Sequence, residues 1–388
     1  MTVEYPPVKF GAFMGPYHVP RVDSNAALRH DLEIIQYLDE LGFAEVWVGE
    51  HHSGGVELIA SPEIFIAAAA ERTKRIKLGL GVVSLPYHHP FMVAERINQL
   101  DHMTRGRVIF GAGPGQLADD SKMMGLNPLE GRRKMEQSFG AIYRLLNGET
   151  VTEETDWYKL DEAYLQMKPY SKVEMACTAT VSPNGPNLAG KYGASLLSLA
   201  ATFPEGVELL ESHWNIASKI AAENNQTISR ANWRLVGIMH VAPTEDQARE
   251  ECKYGLKQLL NYLSQVSPGG AAYDDLDQMI TDYNDSGFTA IGTPELAVQQ
   301  IKRLQEKSGG FGTWLNLQGD WASPEATRNS YRMIAAEVAP HFTGDHESRA
   351  RSFASVIDSG MHTVEITQEA QRLAKEKYDK ERADAGKA

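Results

Sequence analysis

Ala44-Glu45-Val46-Trp47-Val48-Gly49-Glu50-His51-His52 joins a short apolar run to a carboxylate and two imidazoles. Val46, Trp47 and Val48 favour extended backbone, and a helix ending at Leu41-Gly42-Phe43 leads into them. That reads as a buried parallel strand entered from a helix. In an α/β barrel the catalytic side chains sit at the carboxyl ends of the strands, which makes Glu50, His51 and His52 the first candidates for catalysis. An imidazole placed there is suited to moving protons near neutral pH. The same residues would also serve as a polar cluster tying neighbouring loops together, and spacing alone leaves both roles open.

Outward from this strand, the chain alternates. Val8–Phe13 precedes it as a first strand, and Leu28, Leu32, Ile35 and Leu38 recur at helical spacing up to Gly42. Ser61-Pro62-Glu63 opens an alanine-rich helix, with serine as cap and proline in the first turn. Ile76–Leu85 is a third strand, backed by a helix marked by Val93, Ile97 and Leu100. Val108–Phe110 is a fourth and runs into Gly111-Ala112-Gly113-Pro114-Gly115. Further strands are expected at Val173–Thr180, Leu196–Leu199, Leu235–Val241 and Thr313–Leu317. Eight strands alternating with helices predict a single (β/α)8 TIM barrel, of class α/β.

Three stretches depart from the pattern. Residues 150–167 alternate through Trp157, Tyr158, Leu160 and Tyr164 and read as an inserted hairpin. Residues 266–290 mix Pro-Gly-Gly, acids and isolated apolar residues, and read as a lid over the barrel mouth. The barrel domain is expected to span 1–342, followed over 343–388 by a charged extension, helical from about Thr367 to Ala385.

Composition narrows the class of partner. A net charge of −13 over 388 residues argues against nucleic acid or an anionic membrane. The two cysteines, Cys177 and Cys252, have neither metal nor redox spacing and point to a reducing compartment. Met1–Tyr5 carries no basic region followed by an apolar one, and Ile64–Ala70 is too short to cross a bilayer. The expected location is cytoplasmic.

Two further stretches bear on ligands. Ser182-Pro183-Asn184-Gly185, after the fifth strand, is a helix start whose unpaired amides suit a phosphate, although an ordinary cap has the same spacing. Gly111–Gly115 is not a dinucleotide fingerprint, and Pro114 removes an amide; close approach to a flat ligand is its better reading. His51-His52 and His88-His89 each offer one inward imidazole at most, since neighbours on a strand alternate sides, so no metal site is expected.

Several blocks in order match a known family. They are Phe10-Gly11-Ala12-Phe13, Val46 to His52, Ala60-Ser61-Pro62-Glu63 and Ser84-Leu85-Pro86-Tyr87-His88-His89-Pro90. Asn98 to Arg107 with Phe110 to Gly115, and Val181 to Gly185 with Leu188 to Gly193, complete the set. With these the chain resembles the luciferase-like flavin-dependent monooxygenases, most of all the limonene 1,2-monooxygenase type, over about residues 8–342. The resemblance implies reduced FMN (FMNH2) and O2 as cosubstrates, with oxygen added to the flavin at C4a before transfer to an organic molecule. It implies a separate NAD(P)H-dependent flavin reductase, a homodimer built on the helices after the second and third strands, and an apolar, terpene-like or polycyclic substrate. By motif it assigns catalysis to His51 with Glu50 and His52, and the flavin phosphate to Ser182, Asn184 and Gly185. Gly81-Val82 is where the family's cis peptide falls, and Gly111 and Gly113 belong to the flavin side of the fourth strand. Bacterial luciferase has a cysteine and an arginine where this chain has Gly113 and Pro114, which makes light emission unlikely and removes a cation from the phosphate. Asn184, Lys191 and Arg107 are the candidates to replace that cation. The rival readings are a deazaflavin-dependent hydride-transfer enzyme and a non-catalytic flavin-binding relative. Phe13, Tyr17, Tyr87 and Trp321 are the expected aromatic walls of the substrate site.

Overall fold

The computed structural model describes residues 5–266, 273–344, 346–358 and 363–385. Eight strands form the barrel: β1 (Lys9–Tyr17), β2 (Glu45–Val48), β3 (Lys77–Ser84), β4 (Val108–Gly113), β5 (Glu174–Ala179), β6 (Ser195–Ser198), β7 (Arg234–Val241) and β8 (Thr313–Gly319). Each pairs in parallel with the next. β8 returns to β1 with Phe10 opposite Trp314, which closes the ring. Parallel strands enclosed by helices are buried on both faces, so β2 and β7 are apolar-rich and buried at every position.

Side chains fill the ring. Phe13, Trp47, Ile109, Ala176, Leu197, Val236 and Leu315 form the inner cluster, while the larger core lies between strands and helices. Below Trp47 sits a buried ion group. Arg234 donates to Glu45 Oε1 and Oε2, each at 2.9 Å, and to Glu174 at 2.5 Å, while Trp47 Nε1 donates to Glu45 at 2.9 Å. Glu45 and Trp47 are two residues apart on one strand, so both point inward.

The departures from barrel rhythm have definite structures. Val151–Glu154 and Lys159–Ala163 pair antiparallel as a hairpin. In the segment read as a lid, residues 267–272 lie outside the described residues. The remainder corrects that reading: Leu276–Ser286 is a helix and Thr289–Gly292 a strand. Asp275 accepts from the amides of Asp277 and Gln278, and Gly287 ends the helix at φ 73°. The added strand pairs with the second half of β7, Ile238 to Val241, where β8 no longer does. Two units divide the chain, residues 1–342 and 343–388. The second contains the helices Glu347–Asp358 and Thr363–Ala385, whose described side chains are exposed. No described helix is long and apolar enough to cross a membrane.

Candidate active site

A cavity of about 1270 Å³ opens at the carboxyl ends of the strands. That exceeds the roughly 300–1,000 Å³ of common small-ligand sites and leaves room for a cofactor and a second molecule. Glu50, His51, Gly81, Val82, Ser182, Asn184 and Gly185 all line it. Residues from the second, third and fifth strand ends thus share one space.

Glu50 anchors the strand-two end. Its Oε1 is 2.9 Å from His52 Nε2 and 2.6 Å from His88 Nε2, and its Oε2 accepts from the Ser84 amide at 2.7 Å. Burial works against its charge, yet the bonds from His52, His88 and Ser84 outweigh it and hold the carboxyl below the usual range. The hydrogen bond to Glu50 raises the His52 pKa, and the His52 ring meets Tyr87 edge-on at 5.9 Å. His52 and His88 do not line the cavity; with Glu50 they tie β2 to β3, so His52, named as a catalytic candidate beside His51, meets the cavity only through Glu50.

His51 does face the cavity. Its Nε2 lies 2.6 Å from Glu57 Oε2, off the line of a straight hydrogen bond, and its Nδ1 lies 3.7 Å from Asp120 Oδ2. Burial disfavours its charged form, but Glu57, Asp120 and Glu50 together raise its pKa above the ordinary value. Asp120 also accepts from Ser53 Oγ at 2.5 Å and from the His52 amide at 3.3 Å.

On the opposite side the helix Asn184–Tyr192 points its amino end into the cavity. Ser182 stands one residue earlier than a cap: Pro183 holds the cap position, and Ser182 Oγ accepts from the Asn184 amide at 3.2 Å. Gly185 has a packing reason, since a Cβ there would lie 1.8 Å from the Thr178 carbonyl oxygen. Glycine is what lets this helix approach β5. Arg107 does not reach the site. It donates to Thr73 Oγ1 and to the carbonyls of Ala70, Ile76 and Thr104 at the amino end of the strands. Lys191 lines the cavity but pairs with Glu136 at 3.2 Å. Arg132, which the sequence reading missed, lines it as well.

The peptide bond between Gly81 and Val82 is cis, at the position the motif indicated. Gly111 and Gly113 do not line the cavity. A Cβ on Gly111 would lie 2.2 Å from the Leu80 carbonyl oxygen, and one on Gly113 would lie 2.4 Å from Val82 Cγ2. They make room for protein, not for a flat ligand, which corrects the expectation. Among the expected aromatic walls, Phe13 lines the cavity, whereas Trp321 is buried in a separate core cluster with Tyr17. Phe203, Leu199, Leu263 and Leu317 add to the apolar lining. Tyr262, from the helix Leu256–Val266, also lines the cavity, and its hydroxyl is buried without a hydrogen-bond partner. No local signal pointed to Glu57, Asp120 or Tyr262, because each reaches the site from a different segment.

Comparison with known proteins agrees with this geometry. Residues 8–310 match the model of the luciferase-like monooxygenase family. The chain is 59% identical over 383 residues to limonene 1,2-monooxygenase of Rhodococcus erythropolis, covering 99% of both chains. It is 41% identical over 358 residues to 4-hydroxyprotoasukamycin monooxygenase of Streptomyces nodosus subsp. asukaensis, covering 90% of this chain and 96% of that relative. The solved oxygenating constituent of 3,6-diketocamphane monooxygenase from Pseudomonas putida, a type II Baeyer-Villiger monooxygenase in complex with FMN, shares the fold. Its TM-score is 0.71 at 23% identity, over 86% of this chain and 98% of that one. The chain therefore belongs to the luciferase-like monooxygenase family and is a flavin-dependent monooxygenase.

Proposed function

We propose that this chain is the oxygenating component of a two-component system, using reduced FMN and O2 to oxygenate an apolar, terpene-like substrate. One observation carries the reading: His51, a helix start suited to phosphate and an apolar wall all line one cavity. The 59% identity to a limonene 1,2-monooxygenase supports the substrate class. The residues fit the cofactor, since the cavity brings Ser182, Asn184 and the amino end of their helix together with Arg132 and Lys191. These groups hold the phosphate, with Arg132 as the principal cation because Lys191 is already paired. Gly81 and Val82, which line the same cavity, would contact the flavin ring. Reduced FMN, when bound, supplies the activation of O2. His51 holds or passes the proton that governs coupling, and Phe13, Leu199, Phe203 and Leu317 exclude water and seat the substrate. The reductant arrives from a separate NAD(P)H-dependent flavin reductase, and the chain works as a cytoplasmic homodimer.

The test is turnover with a flavin reductase, NADH, FMN and limonene under 18O2. A product heavier by one labelled oxygen is the expected result. Hydrogen peroxide alone across a terpene panel removes the reading. Oxygen-independent hydride transfer with a deazaflavin replaces it with the rival one.

A further inference from the structure

The structure leaves unsatisfied buried atoms next to the proposed catalytic histidine. His51 Nδ1, Glu57 Oε2 and the Tyr262 hydroxyl are all buried without a hydrogen-bond partner, and all three residues line the cavity. Such atoms are uncommon in folded proteins and call for an explanation. Glu57 sits on a loop pinned at several points. Its backbone bridges to Tyr17, His18 donates to the Val56 carbonyl at 2.8 Å, and His51 donates to the Ile59 carbonyl at 3.1 Å. The backbone that carries Glu57 is therefore fixed beside His51. The other carboxylates nearby are engaged elsewhere, Glu50 by His52 and His88 and Asp120 by Ser53.

Both ring nitrogens of His51 face a carboxylate, at 2.6 Å and 3.7 Å. A neutral imidazole would present a lone pair to one of them, which like charge disfavours. We propose that Glu57 is a positioning residue that holds His51 as an imidazolium, with Nε2–H on the side of Glu57 and Nδ1–H on the side of Asp120. The groups acting on this ring are Glu57 from the loop, Asp120 from the helix Ala118–Met123 and Glu50 from its own strand end, and Tyr262 from Leu256–Val266 lines the same cavity near Glu57 and Asp120. All three carboxylates favour the cation. Tyr262, kept protonated by burial and by Glu57 and Asp120, adds a second donor without competing for the proton. The proposal deepens the functional reading by assigning the proton's holder.

The ligand-free full-length chain, 15N-labelled at histidine, gives the test by NMR, with His51→Gln identifying the signal. In the wild type both ring nitrogens should stay protonated through neutral pH. Glu57→Gln should lower the His51 midpoint by about one pH unit, and Glu57→Asp should restore part of it. The His52 signal should be unaffected, since its partner is Glu50. In turnover, the alkaline limb of product formed per flavin consumed should move by the same amount in Glu57→Gln. A wild-type His51 that is neutral at pH 7 overturns the proposal, even if no Glu57 variant folds. So does a midpoint that Glu57→Gln leaves in place. Wild-type protein that shows the NMR shift but forms no oxygenated product removes the monooxygenase reading and supports the ion pair.

Discussion

Trp47 occupies the space that a side chain at Gly79 would need: a Cβ at Gly79 would lie 2.3 Å from Trp47 Cδ2. The two residues are register partners on β2 and β3, so neither can step aside along its strand. Gly79→Ala should destabilise the fold by about 1–3 kcal/mol through overpacking, read as a lower denaturation midpoint. Trp47→Phe in the same chain should return part of that loss, because it removes the second ring of the indole. An additive double variant would show that the two sites do not touch.

A second relation predicts a pH dependence from a group that does not line the cavity. His18 Nε2 lies 2.9 Å from Asp31 and its Nδ1 3.1 Å from Asp320, joining the end of β1 to the helix Ser24–Leu41 and to the end of β8. Burial opposes the charge, but the two carboxylates outweigh it and raise the pKa from 6.5 to about 10. The folded pKa is above the unfolded one, so this stabilisation is complete below pH 6.5 and is lost as pH rises through about 10. Thermal denaturation across that window should fall more steeply in the wild type than in His18→Gln. Parallel curves would remove His18 from the account.

Flavin binding should depend on Arg132 and hardly on Arg107. A charged hydrogen bond contributes about 1.5–3 kcal/mol, so Arg132→Ala should weaken FMN binding roughly ten- to a hundred-fold by fluorescence titration. Lys191→Ala should cost less, since its partner is Glu136. Equal losses would mean that the phosphate lies elsewhere.

His51→Ala should keep the fold and still consume reduced flavin, yet divert oxygen to hydrogen peroxide. Losing one acid–base group typically costs about 10²–10⁴-fold, here in product formed. His52→Ala acts through the Glu50 anchor and should be milder. Wild-type coupling in His51→Ala would place the proton on another group.

The helices Pro62–Ala70 and Pro90–Thr104 present an apolar surface that suits a second copy. Ile64 is 70% exposed on the first of these helices, and Met92 and Met103 are exposed on the second. Ile64→Asp should shift the chain from dimer to monomer by light scattering at micromolar concentration. A wild type that is already monomeric would leave this surface without a partner.

The barrel was legible because parallel strands buried on both faces stand out as continuous apolar runs, as at Val46–Val48 and Leu235–Val241. The strand Thr289–Gly292 was not, being four residues long and lacking such a run. The helix before it carried its signals in Asp275 and Gly287, but Pro-Gly-Gly upstream made the whole stretch read as a loop. At the site, His51 and Ser182 were legible from their place after a strand. Glu57, Asp120 and Tyr262 were not, because only the folded barrel brings residues 57 and 120 to one imidazole and residue 262 to the same cavity. Arg107 could have been placed correctly: it stands just before β4, hence at the end away from the mouth.

The packed floor of the barrel has a consequence for traffic. Trp47, fully buried, rests over Arg234 and Glu45, and this plug closes the ring from below. Among the described residues this floor leaves the carboxyl end of the barrel as the side on which the cavity opens. On the proposed function, reduced flavin, oxygen, substrate, product and spent flavin would all pass that mouth, and whichever sat outermost would hold back the rest. Turnover in such a chamber is paced by order of departure as much as by chemistry, and spent flavin that lingers should compete with the next reduced molecule for the same doorway.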